Sequence, residues 1–424
     1  MAVDDINTPC HGWHVQEGNR RMIRALLGGT EAMRAAGVEY LPRQIRESED
    51  AYARRLQRSF LFPALRRTVE TFAGRVLGHP IDTTDVAPPV RAYLDDVDRD
   101  ENNLTVFARH VFFDAVAFGI SWIFVDRDPL VPGSTLADAR RNNNRPYLVH
   151  IPCSSVIGWR RSANGQLARV RIREQVVDES ADNADWNDDI FVDQIRVIEP
   201  FRYRVYRQVK AGNYGSGEWV VIDEGRHGLE MIPLVPVYMD KTSFFMARPP
   251  LLDLAWLNVC HWQSASDQRH IEHIIRVPIL LCSGFQRAEL GELEIGADRG
   301  VIASNPQSTI TYVEHSGNAA QVGRADLEDL ESKMASLGAQ VIDRQPVMET
   351  ATKTATESAE SGASLAAMSE SLQDALNIAL YYMGRMINVP DAGSVRVLAD
   401  IPSATEAVEE SRDPTPDTPS LSEG

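Results

Sequence analysis

The stretch PPLLDLAWLNVCHWQSASDQRHIEHIIRVPIL, residues 249–280, decides how the rest of the chain is organised. Two prolines open it and a Val-Pro pair closes it, which predicts one helix of some 25 residues between them. The first half carries an apolar face, whereas residues 263–270 contain no large apolar side chain. The apolar face consists of Leu252, Ala255, Val259 and Trp262. A core helix rarely stays polar over two turns, so we expect its middle to border solvent or another subunit.

The chain downstream of this helix alternates between β-rich and helical patterns. Short apolar runs between Gly and Asn-Pro turns, such as PILLCSGF and TITYVE, predict a small β-rich module. Helical spacing then predicts two more helices, separated by a loop that contains Pro346. Beyond Asp400 the chain has four Pro, six acidic residues and one Arg, a composition that predicts a disordered tail.

The chain upstream of residue 249 combines helices with a sheet. Residues 13–120 show helical spacing, with a helix over 104–118. The face that we expect this helix to bury consists of Val106, His110, Phe113 and Ala117. Short alternating segments such as ARVRIRE and FRYRVYRQ, within residues 145–240, predict an antiparallel sheet with a hairpin turn at Asn164-Gly165. The fold class predicted for the whole chain is α+β.

Charge excludes one class of function. The 424 residues contain 43 Lys plus Arg against 60 Asp plus Glu, a net charge of −17, and such a field repels a nucleic-acid duplex. A general nucleic-acid binder is therefore not expected. Residues 43–75 run against the trend, with eight Arg and four acidic residues. We interpret that basic stretch as a solvated helical face.

Cysteine usage and hydropathy indicate a protein without disulfides or membrane spans. Cys10, Cys153, Cys260 and Cys282 lie far apart, which favours a reducing compartment, and Cys153 is expected to be a buried structural thiol. The first ten residues lack the basic start and apolar stretch of a signal peptide. The longest apolar tract, residues 111–125, contains Asp114 and is too short to span a membrane.

The motifs of common enzymes are missing from the sequence. It has no P-loop, no Rossmann glycine fingerprint, no HExxH and no nucleophile elbow. His261, His270, Glu272 and His273 are the one group that could be imagined around a metal, and their spacing supplies at most two ligands on one helical face. We therefore expect no catalytic residues, no cofactor and no metal.

Several segments together resemble the portal proteins of tailed bacteriophages, in a branch known only as a phage domain of unknown function. The most specific is the 249–280 stretch quoted above. The others are YLPR at 40–43, RSFLFPALRRTVETFAG at 58–74, RPYLVHIPCSSVIGWR at 145–160, YVEHSGNAA at 312–320 and TATES at 354–358. With the helices between them, these segments cover about residues 13–388.

The resemblance implies a ring of subunits, dodecameric in portals generally, at one vertex of the capsid in the virion. Double-stranded DNA is packaged and ejected through the axial channel of such a ring. The implied partners are further copies of the chain, the large subunit of a terminase, a head-to-tail connector or adaptor, and the major capsid or scaffolding protein. No membrane partner is implied, and the chain would be made in the cytoplasm of a host bacterium.

Portals share an outward wing, a stem of two helices around the channel, a clip below the stem and a crown inside the capsid. This chain shows the same order of elements, with room for only a small crown. The resemblance maps onto the sequence as an N-terminal arm at 1–12, wing at 13–248, first stem helix at 249–275, clip at 276–320, second stem helix at 321–340, channel loop at 341–356, long helix at 357–388, and short crown with disordered acidic tail at 389–424.

Candidate site residues follow from this mapping. In the channel loop we expect Arg344, Thr350, Thr352, Lys353 and Thr354 to meet DNA by weak contacts that are blind to sequence. Clip contacts to the terminase are expected at Glu292 and Glu294. The ring interface is expected at Trp262, Gln263, Asp267 and Arg269, within the polar middle of the first stem helix. Two alternatives stay open: a metal-dependent phage enzyme acting on nucleic acid, and another capsid or scaffolding protein.

Overall fold

The computed structural model describes residues 6–128, 141, 143–177, 191–209, 218–276, 279–284, 305, 307–313, 318–342 and 351–400. It mixes helices and strands, so the predicted α+β class is confirmed. The helices are α1 (His11–Leu27), α2 (Gly29–Ala36), α3 (Glu49–Arg58), α4 (Ala64–Val76), α5 (Pro88–Arg91), α6 (Leu104–Phe118), α7 (Leu252–Ile275), α8 (Asn318–Ile342) and α9 (Ala351–Met386). The strands are β1 (Ile120–Asp126), β2 (Tyr147–Ile151), β3 (Val156–Arg161), β4 (Leu167–Val177), β5 (Phe191–Glu199), β6 (Arg202–Val209), β7 (Glu218–Gly225), β8 (Leu234–Tyr238), β9 (Lys241–Ser243), β10 (Met246–Ala247), β11 (Ile279–Ser283) and β12 (Thr309–Val313).

The chain divides into two compact units. The large unit comprises Met1–Leu27, Ala64–Ala255 and Ser336–Gly424, and the small unit comprises Gly28–Pro63 and Trp256–Ala335. Each unit is therefore built from parts of the sequence that lie far apart.

Helix α6 and strand β1 lie at the centre of the large unit. The side chain of Asn103 caps the helix by accepting a hydrogen bond from the Val106 N–H, and Gly119, at φ 84°, ends it in the left-handed conformation. Strand β1 follows at once, and six of its seven residues are buried. It pairs antiparallel with β2 on one side and β8 on the other. This central position explains why five of its seven residues are apolar, because both of its faces are covered.

The buried face of α6 differs from the predicted one. Val106 is 38% exposed and His110 is also exposed, so the prediction is wrong at these two positions. The face that is buried runs through Leu104, Phe107, Ala108, Val111, Phe112 and Ala115. The spacing predicts the helix correctly but not which side of it is buried. Apolar residues lie on most sides of this helix, so the spacing alone does not determine the buried side.

The second sheet of the large unit has five strands in the order β3-β4-β5-β6-β7, and every neighbouring pair is antiparallel. The predicted antiparallel sheet is thereby confirmed. The Asn164-Gly165 turn is confirmed too: the Ser162 N–H donates to the Gln166 carbonyl at 2.8 Å, and Gly165 has φ 88°.

The C-terminal helix α9 packs on β1 and β8. Its buried row is Leu372, Leu376, Leu380 and Met383. The chain then turns back along this helix: the Val395 N–H donates to the Asn377 side chain at 2.8 Å, and the Val397 N–H donates to the Gln373 side chain at 2.9 Å. The first part of the segment expected to form a short crown therefore lies against α9.

The long helices follow one another in the predicted order, and the largest difference from the predicted boundaries is at the start of α9. Helix α9 begins at Ala351, so residues 351–356, expected in the channel loop, are helical instead. No Gly or Pro follows Pro346 until Gly362, and the helical cost of the threonines is only a few tenths of a kcal/mol each. Pro346 therefore does not prevent a helix from beginning at Ala351.

Two smaller expectations concern cysteines and membranes. All four cysteines are free, and Cys153 is buried, with desolvation raising the pKa of its thiol to about 12. This confirms the predicted burial of Cys153. Among the helices that the structure describes, none is long and apolar enough to cross a membrane.

Candidate functional site

Helix α7 was singled out by its sequence, and its apolar half is buried as expected. Ala255, Val259 and Trp262 are 0%, 4% and 0% exposed. The prediction that Trp262 lies at a ring interface is therefore wrong, because an indole buried inside its own chain cannot contact a neighbouring subunit.

The polar middle of α7 contacts another segment of the same chain within the small unit. Gln263 donates from Nε2 to the Tyr40 carbonyl at 3.0 Å, and Asp267 accepts from Gln44 Nε2 at 2.9 Å. The guanidinium of Arg269 lies 5.9 Å from the centre of the Phe60 ring. Several of the polar side chains that suggested a subunit interface thus contact residues of their own chain instead. Asp267 and Arg269 are also exposed, so a ring contact at these two stays a prediction.

A buried ion pair anchors this contact. Ser48 caps α3 by accepting from the Ala51 N–H, which places Glu47 just before the helix and Arg55 two turns into it. The Arg55 guanidinium binds both carboxylate oxygens of Glu47 at 2.8 Å. Hydrogen bonds from Arg55 outweigh the desolvation of Glu47 and lower the pKa of its carboxyl group to about 2.

Two serine hydroxyl groups, one from α7 and one at the end of α3, complete the same cluster. Ser266 lies 3.4 Å from Arg55 Nη1, and its Oγ is 2.8 Å from Ser59 Oγ. Both serines are buried, as is Arg55. The basic stretch at 43–75 was interpreted as a solvated face, and that interpretation is wrong for Arg55. The excess of arginine over acidic residues in this stretch is the signal that could have indicated a buried ion pair.

Polar contacts also join α7 to α8 within the small unit. His261 Nε2 lies 3.1 Å from Glu331 Oε1, and Gln268 Nε2 donates to the Ala320 carbonyl at 2.8 Å. Arg324 Nε donates to Glu272 Oε1 at 3.0 Å. Hydrogen bonds from Gln268 and Arg324 lower the pKa of Glu272 below its usual range. The two helices predicted to form a stem are thus linked by polar side chains along their lengths.

The four residues considered for a metal are not arranged around one. His261 is hydrogen-bonded to Glu331, and Glu272 accepts hydrogen bonds from Gln268 and Arg324. Among the residues described in the structure, no group of three or more His, Cys, Asp or Glu side chains is placed to hold an ion. At these four positions the described structure therefore shows no ligand cluster of the kind that the metal-enzyme alternative requires.

One side of α8 is exposed and acidic. Only Met334 is buried between Gln321 and Ser336, while Leu327 and Leu330 are half-buried. The exposed acidic residues are Asp326, Glu328, Asp329 and Glu331, against the exposed basic residues Arg324 and Lys333. Such a helix face presents net negative charge to whatever it borders.

The predicted clip and channel residues are placed only in part. Glu292, Glu294, Arg344 and Thr350 lie outside the described residues. Thr352, Lys353 and Thr354 lie in the first turn of α9. Between α7 and α8, in the range predicted to be the clip, the structure describes an antiparallel strand pair, β11 with β12.

Sequence reasoning missed a cavity of about 490 Å³ in the large unit. Its walls include Phe124, Tyr147 and the ion pair between Asp126 and Arg196, which is 2.8 Å long. Burial raises the pKa of Tyr147 to about 12, so its phenol stays protonated at neutral pH. The charged lining residues are three arginines and three aspartates: Arg127, Arg196, Arg226, Asp126, Asp128 and Asp223. Because positive and negative side chains are equal in number, the charge of the cavity lining favours neither an anionic nor a cationic ligand.

Comparison with known proteins gives one family match and several distant structural likenesses. A family model described as a domain of unknown function (DUF4055) matches residues 250–387, which include α7, α8 and α9. No curated protein matches the chain by sequence.

The likenesses are to parts of gene transfer agent (GTA) particles. A chain from the virion of the native particle has a TM-score of 0.42 and 11% identity, covering 89% of this chain and 92% of that one. A chain from the neck of the native particle, computed with C12 symmetry, has a TM-score of 0.41 and 10% identity over 82% and 84%. A chain from the neck of the empty particle, computed with C6 symmetry, has a TM-score of 0.44 and 9% identity over 89% and 92%.

Proposed function

We propose that the chain is the portal subunit of a tailed bacteriophage, a structural protein that forms a ring for DNA at one vertex of the capsid. The observation that carries the proposal is the order of elements from α7 to α9. A long helix, an excursion containing a strand pair, a second long helix and a third long helix follow one another as stem, clip, stem and crown-directed helix do in the family that the sequence resembles.

The charge of the chain supports a conduit. Every Lys or Arg that neutralises a phosphate adds binding free energy that must be lost again when DNA moves on. In this proposal the exposed acidic side of α8 faces the channel and keeps the duplex from adhering. Arg344, between α8 and α9, and Lys353, in the first turn of α9, then provide a sparse ring of positive charge, and Thr350, Thr352 and Thr354 add weak contacts to phosphate.

The excursion between α7 and α8 is proposed as the clip that binds the terminase and the connector. Charge reversal of Glu292 and Glu294 to Lys should then weaken capture of the terminase large subunit while rings still form. Glu409→Lys with Glu410→Lys, in the acidic tail, is the matched control. Equal capture by both variants would place the contact elsewhere.

Imaging and mass measurement test the ring. The purified full-length chain should appear by negative stain as rings with a central hole, and a dodecamer should have about twelve times the 47.2 kDa mass of one chain. A species that stays at the mass of one chain at micromolar concentration and at every salt concentration would overturn the proposal. Compact or sheet-like assemblies without a hole would favour a different capsid or scaffolding protein.

A further inference from the structure

The cavity of about 490 Å³ in the large unit has the size of a small-molecule site, and the proposed function does not use it. Ligand pockets in proteins usually measure about 300 to 1,000 Å³ and combine apolar walls with a few placed polar groups. The rings of Tyr147 and Tyr203 line this cavity together with the apolar side chains of Phe124, Val125, Ile198, Val205, Leu229, Pro233 and Met386. Such walls favour a ligand with a flat, apolar body.

Contacts among neighbouring polar groups hold the lining in place. Arg196 donates to Asp126 at 2.8 Å and also lies 3.0 Å from a carboxylate oxygen of Glu174. Arg127 Nη1 donates to the Met386 carbonyl at 2.6 Å. The walls are therefore formed before any ligand arrives, which lowers the entropic cost of binding one.

Two hydrogen-bond donors of the lining remain available. The Tyr203 phenol is hydrogen-bonded to Asp223, whereas the Tyr147 phenol and the Arg226 guanidinium have no such partner among the residues that the structure describes. The guanidinium carbon of Arg99 lies 4.1 Å from the centre of the Tyr147 ring and helps to fix it. Burial raises the pKa of Tyr147 to about 12, so the phenol keeps the proton that it would donate. A ligand would have to supply an acceptor oxygen to these two donors.

The charges of the lining make an uncharged acceptor the best match. Arg226 shares the exposed side of the cavity with Asp223, so the attraction of Arg226 for an anion is opposed by a carboxylate. A cation meets the converse conflict. A carbonyl oxygen accepts hydrogen bonds without bringing a net charge out of water, and therefore avoids both.

We propose that this cavity binds an aromatic ring that carries an uncharged amide or lactam carbonyl. The ring would lie among the apolar walls, and the carbonyl oxygen would accept hydrogen bonds from Tyr147 and Arg226. Free aromatic amides share this chemistry with the bases of nucleic acids, such as thymine.

Saturation-transfer NMR of the full-length protein tests the site, with benzamide as the probe. A ligand of this size should bind with a dissociation constant of about 1 mM. Tyr147→Phe removes the hydroxyl group but keeps the ring, and should weaken benzamide binding by about 3- to 10-fold, the loss expected for one hydrogen bond. Toluene, which has no carbonyl group, should bind the wild type and this variant equally.

Two further variants control for the chemistry and the place. Tyr93→Phe makes the same change outside the lining, at a ring that faces Arg145 at 5.8 Å, and should leave benzamide binding unchanged. A Cβ added to the exposed Gly228 of the lining would meet no atom within 4 Å. Gly228→Leu can therefore narrow the cavity without strain, and should weaken the binding of both benzamide and toluene by about 10-fold. If Gly228→Leu impairs folding, Tyr147→Phe still decides the test, because it preserves the packing of the ring.

Competition experiments distinguish the two sources of such a ligand. Thymine should displace benzamide from the wild type. Displacement by single-stranded oligothymidylate as well, weakened in Tyr147→Phe, would identify a base presented by DNA as the ligand. Displacement by thymine alone would identify a free small molecule. Both outcomes support the proposed chemistry of the site.

Three results would overturn the inference. Absence of saturation transfer to benzamide at about 10 mM would show that the cavity is not a ligand site. Equal benzamide affinities of the wild type and Tyr147→Phe would show that the phenol does not donate to the ligand. Binding of benzoate or benzylamine about 10-fold more tightly than benzamide would show that the site selects an ion. None of these results depends on ring formation, so the test is separate from that of the proposed function.

Discussion

Arg55 and Glu47 form a two-pronged ion pair in which both N–O distances are 2.8 Å, and their side chains are only 2% and 6% exposed. Within the small unit the pair lies beside Ser266 of α7, so it connects the segment before α3 to the helix that organises the rest of the chain. Removing one partner leaves a buried charge without compensation.

We predict that Glu47→Gln lowers the free energy of unfolding by about 3 kcal/mol at pH 7, the cost typical of breaking a buried pair. The folded-state pKa of Glu47 is lowered from 4.5 to about 2, so the pair stabilises the protein above pH 4.5 and loses its effect as the pH falls toward 2. The difference between wild type and Glu47→Gln in urea unfolding should shrink over that interval.

The control for this prediction is Glu49→Gln. The Glu49 side chain is 90% exposed and lies 3.7 Å from Arg43, so its loss should change the unfolding free energy by less than about 1 kcal/mol. Equal destabilisation by the two variants, or a Glu47 effect that does not vary with pH, would contradict the role of the buried pair.

Gly119 should tolerate no side chain. It joins α6 to β1 at φ 84°, and a Cβ there would lie 2.6 Å from the carbonyl oxygen of Arg248. We predict that Gly119→Ala lowers the free energy of unfolding by about 2 kcal/mol or more, from backbone strain and this close approach together. Gly18→Ala, inside α1 with nothing within 4 Å of the added methyl group, should instead be neutral or stabilise by up to about 1 kcal/mol.

Two truncations should behave differently. A chain ending after Asp400 loses only the Pro-rich acidic tail, and we expect its melting temperature and assembly to match the full-length protein. A chain ending after Pro390 also loses Ala392 and Val395, which are buried, and the hydrogen bonds to Asn377 and Gln373. Thermal unfolding should show that only the shorter chain is destabilised, and a loss of solubility in the longer one would contradict the predicted role of the tail.

The acidic side of α8 should govern how DNA passes a ring. Asp326→Lys with Glu328→Lys should make rings retain linear duplex at low salt, because added cations bind phosphate. Closed circular DNA, which cannot thread a ring, should be retained less. Glu230→Lys with Asp240→Lys, at exposed positions of the large unit, makes the same charge change and should show no preference for linear DNA. The same preference in both variants would place the DNA path away from α8.

Local sequence signals predicted the helices and strands well, but not their partners. Prolines on both sides of α7 marked its ends, and alternation in ARVRIRE marked β4. The contact of Gln263 with Tyr40 had no such signal, since it joins residues 223 positions apart. A polar helix surface is compatible with solvent, a neighbouring subunit or a distant part of the same chain, and periodicity alone does not distinguish them.

The candidate site was predicted in the same uneven way. The importance of α7 followed from its sequence, but the burial of Trp262 did not, because an aromatic residue beside a polar stretch suits an interface as well as a core. The clustering of five arginines on one face of the five-stranded sheet had no sequence signal for a different reason. Arg160, Arg169, Arg171, Arg202 and Arg204 are spread over β3, β4 and β6, and only the strand register brings them together.

The division of the small unit between Gly28–Pro63 and Trp256–Ala335 has a consequence for biosynthesis. The ribosome must add roughly 190 residues between the two parts, which takes about 10 to 40 s at bacterial or slower rates of elongation. During that time Glu47 can already pair with Arg55, whereas Ser266 has not yet been made. Nascent chains should therefore need a chaperone, or rapid folding of other segments, to keep this early part from associating with the wrong partner before Trp256–Ala335 emerges.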